Sequence, residues 1–595
     1  MTNPTPSTSC DPVTLEIVKG ALRSMQAEME AVLGRTAMSA FIKEKKDFFV
    51  ALFDAEGKLV LGSSLPAFGD IMTPIFKRFA PDTMQPGDLY WYNDCYGSDG
   101  AVSHSPDQVF AAPVFAEGRL SAFSQSWAHF NDIGGMRPGS LSPDATDIFQ
   151  EGIIIPPIRL MRGGRWNDEA LRIFLRNSRF PDQSKGDVRA SVAAVRLGER
   201  RMIELFERFG RVRVLDALAQ SMDETCRFVR TRLATTFKPG TYRFTELLDT
   251  DGHGNGPFRI RLKLDAMADR LVLDARETDD QARGPVNFIM NADVPKMMLG
   301  QYLLSDNPGV LTNHGALQAL DEVLTRPGSL LKPNFPAPLG QRGITLIRVL
   351  TACQGLVNVA TGGNGMASSA VYVIYYLRGR DPRTDDTFLL TDGIAVGYGA
   401  RSFADGIDAV YLVANENYPA EFLDMEYPVR LRRYGIFRDS GGPGRWRGGC
   451  GVVRELEVLA KETMLSNRID GVDNPPWGVN GGRAGRPGRC VLNPDTPQER
   501  VLPPLADGTI VRAGDVIRLE TGGGGGWGHP FDREAELVRA DVLGGFVSPE
   551  SAREDYGVVL VGEECEIDET ATAKLRAKRP PTKAFHRHDY HDVLT

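Results

Sequence analysis

No stretch of this 595-residue chain approaches the ~18 consecutive apolar residues of a membrane-spanning helix. The opening MTNPTPSTSCDP lacks both the basic and the apolar region of a secretory signal, so a cytoplasmic location is expected. Cysteine is scarce: the seven residues are scattered, none lies in a C-x-x-C pair, and neither a disulfide framework nor a zinc finger is supported. Positive charge is in deficit, with a formal net charge of −8, which leaves no electrostatic footprint for nucleic acid or an anionic membrane. Common catalytic signatures are missing too. Without G-x-x-x-x-G-K-[ST] the chain has no P-loop, so any ATP must bind elsewhere; without G-x-S-x-G or a protease-like cysteine, covalent acyl transfer is unsupported. Gly523 to Gly528 formally matches G-x-G-x-x-G but opens no helix inside a βαβ unit, and it reads as a loop.

What is present is ordinary globular composition, 42% hydrophobic and 25% charged, over a length that accommodates several packed units. Asp11-Pro12 supplies an N-cap and a proline at the first helical position, and Leu15, Val18, Leu22, Met25, Met29 and Leu33 recur at helical spacing. FFVALFD, a turn over Asp54 to Gly57, and KLVLGS predict a β-hairpin. A second hairpin is predicted from Gln108 to Phe115 and from Arg119 to Trp127, turning at Ala116-Glu117-Gly118. Residues 188–235 carry two helical patterns meeting near Gly210, expected to form an antiparallel pair; alternation returns over 239–273, and a helix is expected near Lys296 to Leu304. Between about 340 and 530, glycine-rich segments separate short strands, and DREAELVRADVLGG after Phe531 reads as a helix. The expected class is α+β: a flexible leader 1–10, an N-terminal part 11–235, an α+β middle 236–340, a glycine-rich β part 341–560 and a tail 561–595.

The second hairpin carries the chemistry. His104 and Asp107 precede it and His129 and Asp132 follow it, so pairing brings both histidines to one end. With the turn centred on Glu117, Asp107 faces Trp127 and His104 lies near His129 and Phe130. Two imidazoles and a carboxylate suit a divalent ion such as Zn, Mn or Fe. The plainer reading makes the histidines hydrogen-bonded loop residues and Asp107 a turn cap. Asp94 in NDCY, like Asp132, either supports the ligands from behind or closes its own turn. His529 and the terminal HRHDYH read as loop and tail residues, although such tracts can bind metal adventitiously.

In order, DPVTLEIVKGAL, IKEKKDFFVALFD, PGDLYWYNDCY, SHSPDQ, AHFNDIGG, the run from DATDIF to EGIIIPPIRL, and GDVRASVAAVRLGERR resemble the hydantoinase B/oxoprolinase family. ALQALDEVLTRPGSLLKPNFPAPLG, DSGGPGRWRGGCGVVRELEV, TGGGGGWGHP and VSPESAREDYGVVL extend the resemblance to roughly residues 11–560. The resemblance implies a B-type subunit paired with an A-type partner that carries an actin-like ATP/Mg site, and a metal site on Asp47, His104, Asp107 and His129. It embraces hydantoinases, 5-oxoprolinase, a caprolactamase, and acetone and acetophenone carboxylases. Two departures stand out: GSDGAVSH replaces the usual Gly-Gly-Thr before the first histidine, and Ala128-His129-Phe130 replaces an AHH pattern.

The lost imidazole and added aromatic ring, with Phe48, Phe49 and Trp127 nearby in sequence, point to an apolar substrate. The expected function is therefore a subunit of an ATP-dependent ketone carboxylase of the acetophenone type, with bicarbonate as co-substrate. The alternatives are an ATP-dependent hydantoin or lactam hydrolase and a metal-free assembly subunit of such a complex.

Overall fold

The computed structural model describes residues 10–63, 69–267, 270–307, 309–411 and 415–587. The first helix, Pro12–Thr36, starts where expected because the Asp11 carboxylate accepts the Thr14 N–H at 3.0 Å. Its apolar stripe, Leu15, Val18, Leu22, Met25, Met29 and Leu33, is buried.

That stripe packs on a seven-stranded sheet built from β1 (Phe48–Asp54), β2 (Leu59–Gly62), β3 (Leu89–Tyr92), β4 (Asp107–Ala116), β5 (Arg119–His129), β6 (Ile158–Arg162) and β7 (Arg165–Trp166) in the order β2-β1-β5-β4-β3-β6-β7. Alternation divides the sheet into two faces. Phe48, Val50, Phe110, Ala112, Ala128 and Phe130 enter one core with helices Pro12–Thr36 and Pro181–Phe209. Phe49, Ala51, Val109, Ala111, Phe123 and Trp127 enter another on the opposite side. Asp47, Asp107 and His129 share the parity of this second face.

The observed β4–β5 register corrects the expected one. Glu117 and Gly118 both have positive φ, 52° and 71°, so the loop is a two-residue turn of type I′ character. A bulge between Val114 and Phe115 then shifts the ladder by one more residue, and Asp107 faces His129 rather than Trp127.

The helices Pro181–Phe209 and Arg211–Thr236 break at Gly210 as expected, but they are not chiefly each other's partners. The first packs on Pro12–Thr36 and on β4 and β5; the second packs on the short His314–Ala319 turn. The expected strands follow at Gly240–Leu248, Phe258–Ala266 and Leu271–Asp274, joined by Glu322–Leu324 in a four-stranded sheet. The expected helix runs Asp293–Leu304.

Within the stretch expected to be β-structure lies a 20-residue helix, Arg342–Thr361. It is apolar nearly all round, so it carries no amphipathic stripe to announce it. By length and composition it is the one described helix that could cross a membrane, yet 72% of its apolar window is buried against the rest of the chain, as in a core helix. The two larger sheets of this half have four strands, including Val373–Arg380 and Glu462–Arg468, and five strands, including Val452–Val458.

The glycine segments form a hydrogen-bonded layer rather than free loops. Gly442 N–H donates to Gly524 O at 2.8 Å, Gly524 N–H to Gly449 O at 2.9 Å, and Gly525 N–H to Ser368 O at 2.8 Å. A Cβ on Gly524 would lie 2.2 Å from the Tyr398 carbonyl, so only glycine allows the backbones this close. Helix Ala535–Leu543 matches its expectation. Beyond residue 560 the chain adds helix Glu569–Arg576, and Phe585–His586 pairs with Gly478–Val479; the last histidines of the tail lie outside the described residues.

Candidate metal centre

The β4–β5 ladder ends at Asp107 opposite His129, and the turn ahead of β4 returns His104 onto the pair. His104 Nε2 lies 2.7 Å from Asp107 Oδ1, and His129 Nδ1 lies 3.1 Å from both His104 Nε2 and Asp107 Oδ1. The rings are 4.9 Å apart, and Phe41 lies against the His129 ring at 4.9 Å. All three residues are buried. Among the described residues this is the group of His, Cys, Asp and Glu side chains whose donor atoms converge closely enough for one ion.

The proton inventory explains what the cluster suits. Both ring nitrogens of His104 face acceptors, Nδ1 the Gly340 carbonyl at 3.4 Å and Nε2 the Asp107 carboxylate at 2.7 Å, so the neutral ring donates to one of them, and a cation at Nε2 would leave the proton on Nδ1. Burial pushes His104 down to about 3, helped by the Arg342 charge and opposed by Asp107, which keeps the imidazole neutral. Burial alone would raise Asp107, but its histidine contacts and Arg342 more than offset this and hold the carboxyl well below its usual range. Two imidazoles and an ionised carboxylate thus crowd together within hydrogen-bonding distance of one another. A divalent cation satisfies that arrangement, and the mixed imidazole and carboxylate set suits one.

Asp47 lines one cavity with His104 and His129 but stands outside the three-residue group. Burial raises its pKa, against the influence of His129, while Asp107 raises it further and Arg342 and Asn415 lower it. Its position is held from two sides. Its carbonyl accepts the His129 N–H at 3.1 Å, extending the β1–β5 ladder. Two residues earlier, Lys45 is buried with Nζ 2.5 Å from Asp392 Oδ1 and 2.8 Å from the Gly393 carbonyl, tying this segment to strand Thr387–Ile394.

Several contributors come from far along the chain. Arg342, at the start of its helix, donates from Nε to Ser103 Oγ at 2.6 Å and places Nη2 3.3 Å from Asp107 Oδ2. Glu151 is buried and accepts the N–H groups of Leu339 at 3.0 Å and Gly340 at 2.6 Å, fixing the turn whose carbonyl orients His104. Sequence patterns do not single out either residue, since a lone arginine and a lone glutamate more than 20 residues from the nearest candidate histidine carry no local signal. Asp132 accepts the N–H groups of Gly134, Gly139 and Arg179 and pairs with the Arg179 side chain at 3.0 Å, organising the loop after β5. Asp94 accepts the Gly97 N–H at 2.8 Å and closes its own turn. His529 does the same work in its loop, bonding Phe531 N–H and the Pro580 carbonyl.

The cavity wall corrects the expected source of aromaticity. Phe41, Trp127, Tyr372 and Tyr411 line it with Leu141, Leu346 and Ile374. Phe48 and Phe130 lie on the helix-covered face, where Phe130 packs on Phe110 and Phe174. Phe49 lies instead at a separate cavity beneath β1 and β2.

Comparison with known proteins bears on this architecture. Residues 11–530 match the Hydantoinase B/oxoprolinase family. The chain is 31% identical to the B-type subunit of a putative D-/L-hydantoinase of Pseudomonas sp. strain NS671, covering 95% of this chain and 98% of the relative. It is 30% identical to the beta subunit of the caprolactamase of Pseudomonas jessenii, over 95% and 99%. The crystal structure of the ATP-dependent caprolactamase from Pseudomonas jessenii superposes with a TM-score of 0.85 at 28% identity, covering 95% of this chain and 99% of that one. Nucleotide-free acetone carboxylase shares the fold at a TM-score of 0.81 and 20% identity, over 96% and 83%. The chain belongs to the hydantoinase B/oxoprolinase family.

Proposed function

We propose that this chain is the metal-bearing subunit of an ATP-dependent complex acting at a carbonyl or amide carbon, with Asp47, His104, Asp107 and His129 holding a divalent ion, Zn or Mn. The observation that carries the reading is the convergence of three buried donor side chains, His104, Asp107 and His129, two of them lining one cavity. When bound, such an ion supplies Lewis-acid polarisation of a substrate oxygen. The protein's share is placement. Asp107 is held ionised beside Arg342, His104 is held neutral by burial and by the Arg342 charge, and Trp127, Tyr372 and Tyr411 keep bulk water from the reacting group. The family resemblance supports an A-type partner that binds ATP with Mg, in keeping with the lack of a P-loop in this chain.

Hydrolysis of a cyclic amide is supported by the names of two relatives at 30–31% identity. Ketone carboxylation with bicarbonate is the second reading, favoured by the aromatic wall and by the altered Ser103-His104 approach. The complex purified with its native partners should be given ATP and labelled bicarbonate with a panel of ketones, lactams and hydantoins. Ring opening without retained label establishes the hydrolase; label in a ketone-derived acid establishes the carboxylase. ATP-independent behaviour with no metal in the protein would leave only an assembly role.

A further inference from the structure

Five arginines rank among the most deeply buried side chains: Arg348, Arg454, Arg468, Arg533 and Arg587. Four have carboxylate partners: Arg348 meets Asp470, Arg454 meets Asp392, Arg533 meets Asp405 and Asp541, and Arg587 meets Glu246. Arg468 has none among the described residues, although a buried guanidinium without a counter-charge is costly. Its Nη1 donates to Gln341 Oε1 at 2.9 Å, and its guanidinium carbon lies 4.5 Å from the Tyr372 ring centre. Those two contacts fix the group, yet among the described residues the buried Nε and Nη2 have no hydrogen-bond partner. Arg468 lines the same cavity as His104, His129, Asp47 and Arg342.

The unpaired Nε and Nη2 form the edge of the guanidinium that grips two oxygens of one carboxylate or phosphoryl group. We propose that Arg468 is a binding residue for the anionic part of the substrate, gripping an oxyanion of the phosphate or carboxylate class in the metal cavity. This deepens the functional reading above and rests on it for placing the reacting carbon there. The anion would complete the charge balance of the site: Arg342 is already engaged by Asp107 and Ser103, whereas Arg468 keeps Nε and Nη2 unpaired among the described residues.

The test is isothermal titration of the full-length chain with inorganic phosphate and, separately, with bicarbonate, on both EDTA-treated and Mn-loaded protein. Wild type should bind at least one of the two, and Arg468→Met should weaken that binding by about tenfold or more, the range for hydrogen bonds to charged groups. Arg468→Lys, which keeps the charge and loses the paired N–H edge, should fall between them. Preference for phosphate identifies a phosphorylated substrate, and preference for bicarbonate a carboxyl donor. Wild type binding neither anion, or Arg468→Met binding like wild type, overturns the proposal. Should Arg468→Met fail to fold by circular dichroism, Arg468→Lys is decisive: unchanged affinity overturns the proposal and a clear loss sustains it. Metal content separates this from the parent reading. Arg468-dependent anion binding on a chain that takes up no metal sinks the metal site alone, whereas His104-dependent metal with Arg468-independent anion binding sinks this proposal alone.

Discussion

Asp107 and His129 stand opposite one another at the end of the β4–β5 ladder, with Oδ1 and Nδ1 3.1 Å apart. A hydrogen-bonded ladder is a rigid ruler, so the separation of these donors is set by backbone pairing before any ion arrives. The neighbouring positions on both strands face the other core, which confines the chemistry to one side of the sheet.

Replacing either imidazole should abolish stable metal binding. His104→Ala and His129→Ala are expected to lower affinity for Zn or Mn by more than the ~10–100-fold that loss of a supporting residue costs. Metal stoichiometry by mass spectrometry after dialysis, with thermal melting as a folding control, checks it; full retention in both variants would mean the three donors are structural.

Glu151 should leave a pH signature. Burial raises its pKa from 4.5 to about 8, against the Leu339 and Gly340 N–H groups. The folded state therefore binds more protons than the unfolded state between those values, and stability must fall as pH rises through that window, by up to ~1.4 kcal/mol per pH unit. Urea unfolding of wild type and Glu151→Gln from pH 5 to 8 should show the difference between them shrinking or reversing as pH rises; parallel curves would contradict the buried acid.

Lys45→Met removes one side of a buried pair and leaves Asp392 to Arg454 and Tyr375. Breaking such a pair costs ~3–5 kcal/mol, and the remaining partners of Asp392 should hold the loss near the lower figure. Urea midpoints report it. Because Lys45 anchors the segment bearing Asp47, metal affinity should fall in the same variant.

Two glycine substitutions should differ sharply. Gly118→Ala meets nothing within 4 Å, and only its φ of 71° is unfavourable, so a loss of ~1–2 kcal/mol is expected. Gly524→Ala forces a Cβ to within 2.2 Å of a backbone carbonyl inside the glycine layer and should prevent normal folding. Soluble yield and melting temperature of the pair distinguish them; equal behaviour would show that the layer can relax.

Much of this was written in local patterns. The Pro12–Thr36 helix, both hairpins and the convergence of His104 with His129 follow from helical spacing, strand alternation and turn residues, all of which act over a few positions. The register did not, because the turn is two residues long and not three, and because the further one-residue shift comes from a bulge in the β4–β5 ladder that has no composition of its own. Helix Arg342–Thr361 stayed hidden because a helix buried on all sides loses the periodicity that reveals amphipathic ones.

By itself, then, the sequence determined the α+β class, the strand pair that carries the donors, and the family whose motifs it repeats. Only the tertiary structure decided what surrounds those donors: Arg342 beside Asp107, the Gly340 carbonyl behind His104, Glu151 beneath that turn, and Arg468 across the cavity. Those partners are separated from the histidines by up to several hundred residues. Burial and pairing across such separations are properties of the packed chain, and no local rule of spacing encodes them.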